Sequence, residues 1–219
     1  MATRPKFSEA ETLEQYRIAL ENAETQSVIA AVMAELGYDS AVIGEGKALL
    51  AETHSAYDLN KTEDDETSAA YADFSSKKEQ LDDAFTLHRK KAKVIFRNDS
   101  LTADKLAISG SMPRTYIKWL EAATKFYSVA SSDSDIQGKL ARLKISVDDL
   151  SAANSMISDL KAARAEYLKE KGESQDATKA KDAAFAKVDD WMSEFYAVAK
   201  IGLEDNPQLL EALGKTVRG

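Results

Sequence analysis

Slid along itself by 107 positions, the chain begins to match. Leu13-Glu14 falls on Leu120-Glu121, Leu36 on Leu143, Leu81-Asp82-Asp83 on Val188-Asp189-Asp190 and Ala92-Lys93-Val94 on Ala199-Lys200-Ile201. A repeat restricts the fold more than any motif, because a unit used twice must bury its apolar face the same way twice. At this offset 112 pairs can be compared without gaps and 16 are identical, against roughly 8 expected for so Ala-rich a composition.

The apolar stripe keeps register as well. Positions three and four apart share a helix face, and the first stripe runs Tyr71, Phe74, Lys78, Leu81, Phe85, His88, Ala92, Ile95. Adding 107 gives Thr178, Lys181, Phe185, Val188, Met192, Phe195, Ala199, Gly202, so the best-filled parts coincide. The division that follows is residues 1–106 as a first helical unit and 107–219 as a second, packed together as one body.

Only 9 Gly and 3 Pro interrupt the 219 residues, and helix formers dominate. Strand-type alternation is absent, so the expected class is all-α. With 44% hydrophobic and 30% charged residues the chain can bury a substantial core. The net charge of -8 works against broad contact with nucleic acid or anionic membrane. The absence of Cys removes disulfides, thiolate nucleophiles and Cys metal ligands. The polar opening Met1-Ala2-Thr3-Arg4-Pro5-Lys6 is followed by no apolar signal core, and the expected location is cytoplasmic.

Local signals set the helices. Ser8 and Glu11 have capping-box spacing and open a helix that breaks near Thr25-Gln26-Ser27. It resumes over Val28–Leu36 and stops at Gly37. The second copy repeats this as Met112–Ala130, a polar turn at Ser131–Ser134, and a short helix ending near Leu143. A second main helix is expected over Ser40–Lys61 and a third from the acidic Glu63-Asp64-Asp65-Glu66 to Arg97. Their partners run Val147–Lys171, with Ser146 and Asp149 as a capping pair, and from Ser174 to Asp205. Asn206-Pro207 opens a last short helix that Gly214 closes. Each unit thus reads as an antiparallel bundle of three main helices plus short ones.

Catalytic signatures are sparse. The two histidines are His54 and His88. His88 lies on the inward stripe where the second copy has Phe195, so it and Lys78, aligned with Phe185, are expected as polar groups of the core. No Glu-x-x-His pair for a carboxylate metal centre exists. Asp133-x-Asp135-x-Gln137-Gly138 copies half a calcium loop, but Lys144 stands where the bidentate Glu belongs, and the segment reads as a turn and helix start. Gly44-Glu45-Gly46 lacks the spacing and strand of a phosphate loop. Aromatic clusters at Trp119, Phe126, Tyr127 and at Trp191, Phe195, Tyr196 read as core.

The junction Leu101–Leu120 has the outline of a helix-turn-helix reader, with Arg97, Arg114 and Lys118 as nucleic-acid contacts. The turn Gly110 sits one residue too close and Pro113 occupies the start of the second helix. The expectation is therefore a non-enzymatic interaction or scaffold protein with a protein partner, and with no catalytic residue, cofactor, metal or membrane association. A nucleic-acid binder using the junction is the alternative, and a small-ligand binder or enzyme with a site between the copies is a further one.

Overall fold

The computed structural model describes residues 7–215, and within them every regular element is a helix. In chain order these are α1 (Glu9–Thr25), α2 (Ser27–Glu35), α3 (Ser40–Ile95), α4 (Ser100–Lys105), α5 (Tyr116–Ser132), α6 (Ser134–Ala141), α7 (Val147–Gly202) and α8 (Leu209–Ala212). The chain divides into two compact units: unit 1 holds residues up to 64 and from 173 onward, and unit 2 holds residues 65–172.

Helix starts follow the local chemistry. The Ser8 hydroxyl accepts from the Glu11 amide at 3.3 Å while the Glu11 carboxylate accepts from the Ser8 amide at 2.7 Å, a complete capping box. Ser146 and Asp149 make the same exchange at 3.1 and 2.8 Å. Asp133 caps α6 by accepting from the Asp135 and Ile136 amides at 3.0 and 3.1 Å, so the half calcium loop is a helix start. Gly37 ends the α2 turn at φ +88°, a conformation that side chains with a Cβ avoid.

The long helices correct the sequence reading. Ser40–Lys61 and Glu63–Arg97 are not two helices but one of 56 residues, and Val147–Lys171 with its successor is another of 56. An acidic run is an N-terminal signal only where the preceding turn is open, and here it is closed. The Thr62 hydroxyl donates back to the Asp58 carbonyl at 3.2 Å, and the Thr178 hydroxyl to that of Ser174 at 2.9 Å. Both thus sit on an intact helical ladder rather than capping a new start. No Pro lies in either span to break it. In consequence each long helix serves both units: residues 40–64 and 173–202 belong to unit 1, 65–95 and 147–172 to unit 2. The 106/107 junction lies inside unit 2.

Unit 1 buries Leu13 and Leu20 of α1, Ile29 and Met33 of α2, Ile43 and Leu50 of α3, and Val188, Met192, Phe195 and Leu203 from α7 and its end. Gly46 is required there: a Cβ would lie 2.5 Å from the Trp191 ring, whose indole Tyr38 meets edge-on at 5.6 Å. Side-chain amides of α1 fasten the last turn, Gln15 donating to the Gly214 carbonyl and Asn22 to that of Ala212, each at 2.7 Å.

Unit 2 buries Leu81, Phe85 and Phe96, Phe126 and Tyr127 of α5, Ile136 and Leu140 of α6, and Leu150, Ile157 and Leu160 of α7. Phe85 meets Phe126 edge-on at 5.7 Å, and Trp119 Nε1 donates to Asp82 at 2.7 Å. Among the described residues no single helix is long and apolar enough to cross a membrane; α2 and α3 meet that test only as a pair bent by 102°.

Candidate interaction surface

Helix α2 is apolar on two faces. Its sequence, Ser27-Val28-Ile29-Ala30-Ala31-Val32-Met33-Ala34-Glu35, buries Ile29 and Met33 completely in unit 1. Val28, Val32 and Leu36 follow one another at four-residue spacing and so share a second face. Val28 is 56% and Leu36 43% exposed, and Val32 is half-buried. The end of α7 continues this surface. A Cβ on Gly202 would meet the Leu36 and Val32 side chains at 2.7 and 2.8 Å, and the neighbouring Ile201 is 69% exposed. From Ser27 to Tyr38 the only charge is Glu35. In the chain, the exposed acids Glu35, Asp39, Glu204 and Asp205 and the exposed Lys200 flank these segments.

Helix α6 supplies the comparison. It starts 107 residues after α2, and its buried pair is Ile136 and Leu140. Yet Asp135 and Lys139 stand where α2 has Val28 and Val32. Lys139 there lies over the Phe96 ring at 5.6 Å, so a charged residue is accommodated at that position.

A cleft of about 660 Å³ opens elsewhere in unit 1 between α1 and α3, over Leu13, Leu20, Leu50 and Tyr57. Its rim is charged but internally paired: Arg17 reaches Glu14 at 2.8 Å and Glu21 at 2.6 Å, and Lys47 pairs with Glu24. His54 on the same rim is exposed, its Nδ1 3.0 Å from Asp58 Oδ2.

The sequence-derived site residues lie apart from α2, in unit 2. His88 is 9% exposed, its Nδ1 3.0 Å from the Tyr127 hydroxyl. Burial holds its pKa below the ordinary histidine range, against the opposing pull of Asp149 and with repulsion from Lys91 adding to the effect. Lys78 is not a core group. Its side chain is 40% exposed, with its amine 5.1 Å over the Trp119 ring and 3.9 Å from Asp82. Phe185, 107 positions later, is itself only partly buried.

Arg97, Arg114 and Lys118 are all exposed, but only Lys118 lies on α5; Arg114 sits in the 106–115 connection. That stretch is longer than a helix-turn-helix turn. Part of the basic run before it is already engaged. Arg89, 6% exposed, directs one guanidinium nitrogen at the carbonyls of Ile108, Ser109, Gly110 and Ser111 at 3.2, 3.5, 3.2 and 3.3 Å. Lys93 donates to the Gly110 carbonyl at 2.6 Å. Burial lowers the Arg89 pKa, and burial with repulsion from Arg89 lowers that of Lys93. The sequence reading missed Arg89, which looked like one more cation in a basic stretch.

No family model, curated protein or solved structure matches this chain. The surfaces themselves must therefore carry the functional reading.

Proposed function

We propose that the protein is a non-enzymatic interaction module, two tandem pseudo-repeated helical units that present the outward face of α2 to a protein partner. The observation that carries the reading is the row of exposed Val28, half-buried Val32 and exposed Leu36, with exposed Ile201 beside Gly202, where α6 carries Asp135 and Lys139 at the first two positions and keeps only the exposed Leu143 at the third. Exposed contiguous apolar surface marks contact sites more often than scattered apolar residues do.

The constant offset supports the repeat. Helices α1, α2 and α3 begin at Glu9, Ser27 and Ser40; α5, α6 and α7 begin at Tyr116, Ser134 and Val147, each 107 later. Buried positions pair at that offset as Ile29 with Ile136, Met33 with Leu140, Ile43 with Leu150, Leu81 with Val188, Phe85 with Met192 and Leu106 with Leu213. Contacts pair too. Lys47 meets Glu24 in unit 1, and Asn154 meets Ser131 at 2.9 Å in unit 2. On this reading each compact unit combines the first part of one copy with the last part of the other.

The test is a photo-crosslinking residue at position 28 of the full chain, irradiated in cells. One defined protein adduct, lost when Val32→Lys is added, is the expected result. Absence of any adduct, or an adduct indifferent to Val32→Lys, overturns the reading.

A further inference from the structure

We propose that the α2 face receives a basic amphipathic helix of a partner protein, an inference that rests on the interaction reading above. Val28, Val32 and Leu36 make a row about 12 Å long at helical rise, two turns of a docked helix. Such a helix meets a row of this kind with apolar residues at i, i+3 or i+4, and i+7. Leu36 and Val32 lean over the backbone of Gly202, which joins the row to the end of α7, where Ile201 is 69% exposed.

Charge selects among occupants. The row itself is uncharged, and the chain beside it and beside Ile201 carries the exposed acids Glu35, Asp39, Glu204 and Asp205 against the exposed Lys200. A helix whose apolar stripe is edged by Lys or Arg meets carboxylates on docking and gains both rate and register. A second copy of this chain would set the same acids against each other across a twofold axis. An anionic lipid surface would meet the same repulsion. The partner with complementary charge is the basic helix.

The probe is a fluorescein-labelled helical peptide of about 18 residues, Leu at i, i+4 and i+7 spacing and Lys elsewhere, with a twin carrying Glu for Lys. Both are titrated against the full chain by fluorescence anisotropy. Saturable one-to-one binding of the Lys peptide is expected, weakened at least about tenfold in the Val28→Asp, Val32→Lys double variant and for the Glu twin. The two substitutions are the residues α6 carries at the same offset, and unchanged ellipticity and Tm confirm that the variant folds.

No binding, equal binding of both peptides, or binding unaffected by the double variant overturns the proposal. So does a doubling of mass in light scattering that the double variant abolishes, which assigns the face to a second copy. Flotation of the chain with phosphatidylserine or phosphatidylcholine vesicles assigns it to lipid and overturns the proposal as well. A crosslinked adduct at position 28 without peptide binding removes the basic helix and leaves the interaction reading standing; failure of both removes both.

Discussion

Replacing Arg89 by Met is the sharpest test of unit 2. The substitution keeps the buried stem and removes the guanidinium that four successive carbonyls, Ile108 to Ser111, face at 3.2 to 3.5 Å. One nitrogen with two protons serves four acceptors, so the bonds are shared, and the loss is on the order of two charged hydrogen bonds at about 1.5–3 kcal/mol each. Two effects offset it. The buried cation no longer has to be desolvated, and Ser109, Gly110 and Ser111 are exposed enough for their carbonyls to turn to water. The Ile108 carbonyl, beside a side chain that is 1% exposed, has no such route. The net expectation is about 3 kcal/mol, a fall of roughly 6–12 °C in the melting of unit 2 for a chain of this size. Calorimetry with amide exchange reads it, and amides of 106–115 should exchange faster in the variant. Lys93 shares the Gly110 carbonyl and is repelled by Arg89, so Arg89→Met and Lys93→Met together should cost more than the sum of the two. A Tm within 1 °C of the parent, or strict additivity, would refute the view that Arg89 holds this loop.

Gly46→Ala should destabilise unit 1 by about 1–2 kcal/mol, because the clash with Trp191 outweighs the helix propensity gained, whereas Gly44→Ala, with open space around it, should stabilise by up to about 1 kcal/mol. Urea denaturation of the pair decides, and a shared sign would contradict the Gly46–Trp191 packing. His88 gives a pH dependence. Its folded pKa is depressed, so its contribution is complete above the unfolded value near 6.5 and is lost as pH falls from there through the folded pKa. His88→Phe, the residue found 107 positions later, should flatten stability across that acid window; an unchanged slope refutes the assignment. Phe85→Ala should cost about 3–5 kcal/mol, and amide exchange should show the loss in α5 and α6 rather than in α1 and α2, since Phe85 belongs to the unit 2 core. The reverse pattern would mean that each sequence half folds on its own.

The short helices were legible because their signals are local and complete. Ser8 with Glu11, Ser146 with Asp149, and Gly37 with its positive φ each mark an end within a few residues of where it lies. The long helices were not, because Glu63-Asp64-Asp65-Glu66 has the composition of a first turn. What rules out a start there is the Thr62 to Asp58 bond, a matter of geometry rather than composition. The role of Arg89 depends on a loop some twenty residues downstream folding back over it, and nothing in the run Arg89-Lys90-Lys91 marks that. The outward face of α2 was hidden for another reason. A helix that is apolar all round reads as buried, and sequence does not say which of its faces the rest of the chain covers.

The contrast between α2 and α6 bears on the proposed interaction. Both helices seat a large aliphatic pair in their own unit, Ile29 with Met33 and Ile136 with Leu140. Position 28 is 56% exposed, so Val there adds little to the core, while it adds apolar surface that favours self-association. Asp135, 107 positions later in the first turn of α6, is a charge that suits the positive end of a helix dipole. On the interaction reading proposed above, a side chain that contributes little to the core and adds exposed apolar surface has its use outside the chain. On that reading Val28, with the half-buried Val32 one turn on, is to be changed before His88 or the basic junction.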